Sequence, residues 1–257
     1  MQEYREPLFC KGRVLKKESL EALRDFPGKF ARLGLSGWAD GVLYGFDISF
    51  EDGHEGNGGQ LVVGAGAVWQ EGQPVLAEQK ILPFNAYDQP VTVRLRFYPA
   101  SYTDDFYVRP YELCLESGET EDGGLELGRF RLSEGAKLRK EYRDLQDFGT
   151  TYNTLNITGI PYAGPGGITV SPVLLRAFAH AILEHEAAED LDVTFALLCL
   201  NHPPVSRECL LRYVSRRLRT PYRELTHSEI YERLVRIAGN GSQRMVQRRK
   251  SEGPAVI

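Results

Sequence analysis

Five side chains on one stretch of the sequence come nearest to a metal site: His180, Glu184, His185, Glu186 and Glu189. Residues four apart share a helical face, so His180 pairs with Glu184 and His185 with Glu189, while the two histidines point in different directions. A zinc-protease helix needs histidines at i and i+4 with a glutamate beside the first. That spacing is absent, and the stretch is expected to be a solvated face of paired charges. Nucleophilic chemistry finds no better footing. In Gly34-Leu35-Ser36-Gly37 the second glycine falls one place too early for a nucleophile elbow, and a turn into the first strand is expected instead. His54, His202 and His227 sit in a glycine loop, before a Pro-Pro and in the first turn of a helix, and none is paired by sequence with a plausible nucleophile. Gly164, Gly166 and Gly167 precede a helix start at Ser171, where backbone N–H groups can receive an anion. No Gly-x-x-x-x-Gly-Lys-Ser/Thr accompanies them, so they read as a flexible joint. The four cysteines, Cys10, Cys114, Cys199 and Cys209, are far apart and mostly lie on apolar runs, which predicts reduced, buried thiols. No cofactor and no metal is expected.

Two groups of residues suit binding. Phe97, Tyr98, Tyr102, Phe106, Tyr107 and Tyr111 crowd one hairpin, and alternation leaves Tyr98, Tyr102 and Tyr107 as its exposed rings. Arg207, Arg212, Arg216, Arg217, Arg219, Arg223, Arg233 and Arg236 concentrate positive charge in the last third of the chain, a pattern that suits an acidic protein surface or nucleic acid.

The elements that must carry these groups change character near residue 150. Ahead of the sheet, Ser19 to Phe26 reads as a short helix with Leu20, Leu23 and Phe26 on one face, stopped or kinked at Pro27 and capping one end of the β region. Strands are predicted at Val42 to Phe50, Gln60 to Val68, Pro74 to Ile81, Val91 to Tyr98, Phe106 to Leu115 and Leu125 to Leu132, separated by glycine-rich turns. Val91, Val93, Leu95 and Phe97 alternate with Thr92, Arg94, Arg96 and Tyr98, the signature of a half-buried antiparallel strand. Glu134 to Phe148 is a charged connector.

The helices that follow announce their starts. Ser171-Pro172 places an N-cap before proline at the first helical position, Asp192 caps an apolar stretch to Leu200, and Ser206 caps a third helix. The fourth has a capping box, Thr226 with Glu229, a staple of Leu225 and Ile230, and a predicted stop at Gly239. The fold class is therefore α+β: an N-terminal antiparallel β-sandwich or small barrel followed by a small C-terminal helical bundle. The expected divisions are 1–150 for the β-rich domain with its short helix, 151–170 for a Gly/Pro-rich linker, 171–240 for the bundle, and 241–257 for a disordered basic tail.

A chain of 257 residues that is 42% hydrophobic can bury a sizeable core, and a net charge of −4 implies no nucleic-acid partner by itself. No run approaches the ~20 apolar residues of a membrane span, and Met1-Gln2-Glu3-Tyr4-Arg5-Glu6 lacks a secretion-signal pattern. A cytoplasmic protein, carried within a particle where its assembly requires it, is expected.

Gly41-Val42-Leu43-Tyr44-Gly45, then Val62 through Gly72, then Leu125-Glu126-Leu127-Gly128-Arg129-Phe130 resemble the small β domains of phage-tail and contractile-injection baseplate proteins. With Tyr152-Asn153-Thr154-Leu155-Asn156-Ile157 and Pro161-Tyr162-Ala163-Gly164, the whole chain is also similar to a family of Gram-positive bacterial proteins, some of which carry a DNA/RNA helicase label. The resemblance implies protein subunits of an assembly as partners, with homo-oligomers among them, and supplies no catalytic residue. The expectation is a non-enzymatic structural or adaptor protein, with Trp38, Trp69, Tyr98 and Tyr107 as contacts on the β side and Arg212, Tyr213 and Arg216 on the bundle. The alternatives are a nucleic-acid-binding accessory protein and a carbohydrate-binding module.

Overall fold

A computed structural model describes residues 6–51, 59–118, 123–185, 188–201 and 204–251, with side chains to residue 239. Helix α1 spans Lys17–Gly34 and contains Pro27. It does not stop at Pro27, because the apolar periodicity of Leu20, Leu23 and Phe26 continues through Phe30 and Leu33.

The first three predicted strands each divide in two. Gly41–Gly45 and Ile48–Glu51 form β1 and β2, Gly59–Val63 and Gly66–Gln70 form β3 and β4, and Gln73–Ala77 and Lys80–Phe84 form β5 and β6. The order β1-β4-β5 in one sheet and β2-β3-β6 in the next shows one three-stranded antiparallel ribbon bent through a common corner. Gly45 pairs with Gly66 on one side of the corner and Ile48 with Val63 on the other. Phe46 N–H donates to the Ala65 carbonyl at 3.1 Å and Gly64 N–H to that of Asp47 at 2.8 Å, so backbone bonds persist through the bend. Gly45 takes φ +83°, and a Cβ there would stand 2.4 Å from the Ala65 carbonyl oxygen. A Cβ on Gly66 would meet the Phe46 ring at the same distance. The glycines of this region are therefore the hinge of a folded ribbon, and the corner explains why strands read as continuous in sequence break in space.

A third sheet joins β7 (Pro90–Phe97), β10 (Tyr111–Ser117) and β11 (Leu125–Arg131) in the order β10-β7-β11, and the short hairpin β8 (Ser101–Tyr102) with β9 (Tyr107–Val108) extends from it. Alternation in β7 is as predicted: Val91, Val93 and Leu95 are buried while Arg94 and Arg96 meet Glu116 on the other face at 2.7 and 2.5 Å. After the sheets come α2 (Pro172–Leu183), α3 (Asp190–Asn201), α4 (Arg207–Leu218) and α5 (His227–Ser251). Ser171 and Ser206 cap as expected, accepting from the N–H groups of Val173 and Cys209, and Thr226 and Glu229 exchange both bonds of a capping box. Helix α5 passes through Gly239 and continues to Ser251, beyond the stop that glycine suggests.

One hydrophobic cluster runs through both halves, from Val42, Val63 and Leu95 in the sheets to Phe178, Leu211 and Leu234 in the helices. The segment 151–170 takes part in it. Leu155, Ile157, Ile160 and Ala163 are buried, and backbone bridges tie Tyr162 to Val42 and Asn156 to Arg129. The expected flexible joint is instead a packed strap, because its apolar residues have the sheet and bundle to fill.

Candidate protein-interaction surfaces

Of the side chains weighed as metal ligands and read as a solvated face, His180, Glu184 and Glu189 are exposed. His180 lies on α2 and Glu189 pairs with Arg217 at 3.5 Å. Among the described residues no three His, Cys, Asp or Glu side chains gather as metal ligands; His54, His202 and Glu186 lie outside those residues. All four cysteines are free, but Cys10 is exposed, unlike the buried thiol expected. Cys199 is fully buried, and burial pushes its thiol up to about 12.

Four aromatic residues of the β half fall into different roles. Trp69 is buried in β4, opposite Gly41 and Pro74, and serves the core. Trp38 is half-buried where the end of α1 meets the strap, bridged to Pro165, with Gly166 N–H donating to the Gly37 carbonyl at 3.0 Å. Tyr98 is exposed, and its hydroxyl donates to Glu112 at 2.7 Å, which raises the phenol pKa. Tyr107 packs against Tyr102 on the β8–β9 hairpin with centroids 4.9 Å apart and planes at 45°. Arg109 covers the Tyr107 ring and donates to its hydroxyl. Tyr102 and Phe106 stand out at the hairpin tip. The two tilted rings and Phe106 together make an exposed aromatic knob.

On the bundle side, Arg212, Tyr213 and Arg216 come together along the groove between α3 and α4. Tyr213 is buried, stacked on Phe195 at 3.9 Å and 6°, and its hydroxyl donates to Asp192 at 2.8 Å. Burial first, and then that bond, drives its pKa far above the ordinary tyrosine value. Asp192 also accepts from Arg217 Nε at 2.8 Å, so the charge beneath the groove is internally matched. Arg212 and Arg216 are exposed at the rim. Tyr213 is thus a supporting residue of the groove wall, and the two arginines are its accessible part.

Two apolar surfaces carry no signal of reactive chemistry and were missed as contacts. On α1, Leu20, Leu23, Phe26, Phe30 and Leu33 are 48%, 55%, 53%, 69% and 79% exposed, and no residue of the helix is buried. Ala22, Asp25, Gly28 and Ala31, spaced three apart, are the half-buried side. On α3, Leu191, Leu197 and Leu198 are exposed while Phe195, Ala196 and Cys199 are buried. A helix that is apolar all round belongs in an interior, so composition alone marks α3 as having a second face to cover. No described helix is long and apolar enough to cross a membrane.

Fold and surfaces together define an α+β chain whose exposed features are apolar and aromatic patches on a shared core. No family model matches the chain, and no curated protein matches it. Among solved structures, the crystal structure of TssK is similar at a TM-score of 0.41 and 11% identity, over 94% of this chain and 72% of that one. The cryo-electron microscopy structure of the type VI secretion system TssK-TssF-TssG baseplate subcomplex is similar at 0.36 and 12%, over 93% of this chain and 100% of that one. The chain is thus distantly similar in structure to a baseplate protein, with no sequence family accompanying the likeness.

Proposed function

We propose that this chain is a non-enzymatic adaptor in a multi-protein assembly of the phage-tail-like kind, docking α1 against another subunit and using the bundle for a second component. The observation that carries the reading is the outward apolar stripe of α1. Five large side chains face solvent along one helix, although the chain has an extensive core in which to bury apolar surface. Such a stripe gains free energy only when something covers it. The charges of α1 favour a protein over a lipid surface as that cover. Lys17 pairs with Glu21, and Arg24 and Lys29 with Asp25, whereas helices that lie on anionic membranes keep their basic groups free.

The test places a photo-crosslinking benzoyl-phenylalanine at Phe30 of the full chain in its native cell, with the same group at exposed Glu208 as control. Discrete protein adducts at position 30, lost when Leu23→Glu is added, are expected. Lipid adducts, or a pattern shared with the control position, would refute the proposal.

A further inference from the structure

The groove between α3 and α4 differs from the α1 stripe in chemistry as well as place. Its wall is apolar, with Leu191 and Leu198 from α3 and Tyr222 beyond α4, and its rim is basic, with Arg216, Arg219 and Arg236. All three arginines are exposed, and none of them forms an ion pair among the described residues. Their neighbours show what a matched arginine looks like here. Arg217 is held by Asp192 and Glu189, and Arg212 by Glu208 while it covers the Tyr222 ring at 4.8 Å. Three unmatched cations around leucines, in a chain of net charge −4, form a local field opposite in sign to the whole molecule.

We propose that this groove receives an acidic amphipathic helix from a partner protein, its apolar face against Leu191 and Leu198 and its carboxylates against Arg216, Arg219 and Arg236. The space agrees with that occupant. A groove of about 1470 Å³ takes about three turns of a helix ~10 Å across rising ~1.5 Å per residue. Nucleic acid fits the rim but not the wall, since a phosphate backbone gains nothing from leucines, Tyr213 is buried, and Arg212 already lies over one face of the Tyr222 ring. Arginine at the rim serves twice, as a bidentate carboxylate partner and as a steering charge. The inference does not depend on α1, because the residues involved lie on other elements.

The experiment selects a random peptide library of about 16 residues against the immobilised full chain, with Arg216→Glu/Arg219→Glu as counter-selection. Enriched peptides are expected to carry Leu, Ile or Phe at i, i+3 or i+4, and i+7, flanked by Asp and Glu. By fluorescence anisotropy, the best of them should lose at least tenfold in affinity with Arg216→Glu/Arg219→Glu and separately with Leu198→Asp. Circular dichroism of both variants should match the parent. Neutral or basic consensus peptides, no enrichment, or undiminished binding by either variant would overturn the proposal. So would tighter binding of a single-stranded oligonucleotide of about 20 nucleotides than of the best peptide.

Discussion

Replacing Gly45 by alanine tests the corner of the bent ribbon, and the structure supplies the magnitude. The backbone at Gly45 is left-handed at φ +83°, which costs an L-residue ~1–2 kcal/mol. The added methyl would stand 2.4 Å from the Ala65 carbonyl oxygen and 2.6 Å from Gly66 Cα. Both are backbone atoms held by the register of β1 on β4, so relief requires moving a strand, and overpacking of this kind costs ~1–3 kcal/mol. Alanine returns ~0.4–1 kcal/mol by restricting the unfolded chain. The balance is a loss of about 1–5 kcal/mol, centred near ~3, or a melting temperature lower by roughly 6 °C at that centre for a chain of this length. Gly72→Ala is the matched control. Gly72 also has positive φ, at +71°, but nothing lies within 4 Å of the site of its Cβ, so only the strain remains and a loss of ~1 kcal/mol or less is expected. Urea unfolding followed by circular dichroism measures both. Equal costs for the two variants, or a Gly45 variant within about 1 kcal/mol of the parent, would show that the corner yields and that the close approach is not what selects glycine there.

Asp192→Ala removes the acceptor shared by the Tyr213 hydroxyl and Arg217, leaving both polar groups in a largely buried place, and should cost about 3 kcal/mol in urea unfolding. That is the low end of the ~3–5 kcal/mol that breaking a buried ion pair costs, because Glu189 remains 3.5 Å from Arg217, and adding Arg217→Met should recover part of the loss. Asp147 accepts from both terminal guanidinium nitrogens of Arg139 and from the backbone N–H of Arg143, and these bonds hold its pKa well below the usual carboxylate value. A depressed folded-state pKa contributes stability that is present above the unfolded value of ~4 and lost as pH falls through the folded one. The urea midpoint should therefore fall progressively below about pH 4, and Asp147→Asn should flatten that part of the profile.

The features most legible in the sequence are those set by local chemistry. Ser171, Ser206 and Thr226 cap helices because a side-chain oxygen near a free N–H is a matter of a few residues. Valines and arginines alternate along β7 for the same reason, since the pleat has a period of two. The bend between β1 and β2 was hidden because Phe46, an apolar residue that suits a strand, takes φ +61° at the corner, and only pairing with Ala65 across the ribbon reveals it. Tyr213 read as a contact because tyrosine favours interfaces, but stacking on Phe195, eighteen residues away, draws it inside. Trp69 followed the same logic into the core. The groove was half legible. Arginines cluster visibly on α4, whereas the leucines that meet them lie on α3, and only the packing of Phe195 on Tyr213 brings the two sets together.

The ties between α5 and the single helical turn Gln146–Gly149, just ahead of the strap, bear on how the chain can be handled and exchanged. Tyr231 of α5 donates its hydroxyl to the Gln146 carbonyl at 2.6 Å and accepts from Gly149 N–H at 2.8 Å, reaching across more than eighty residues of sequence. A gene cut at Thr150 would sever that latch and leave raw apolar surface on both fragments, which invites precipitation on expression. Recombination between relatives, or swapping of heads in an engineered chimera, should succeed when sheets and helices travel as one piece and fail when they are parted.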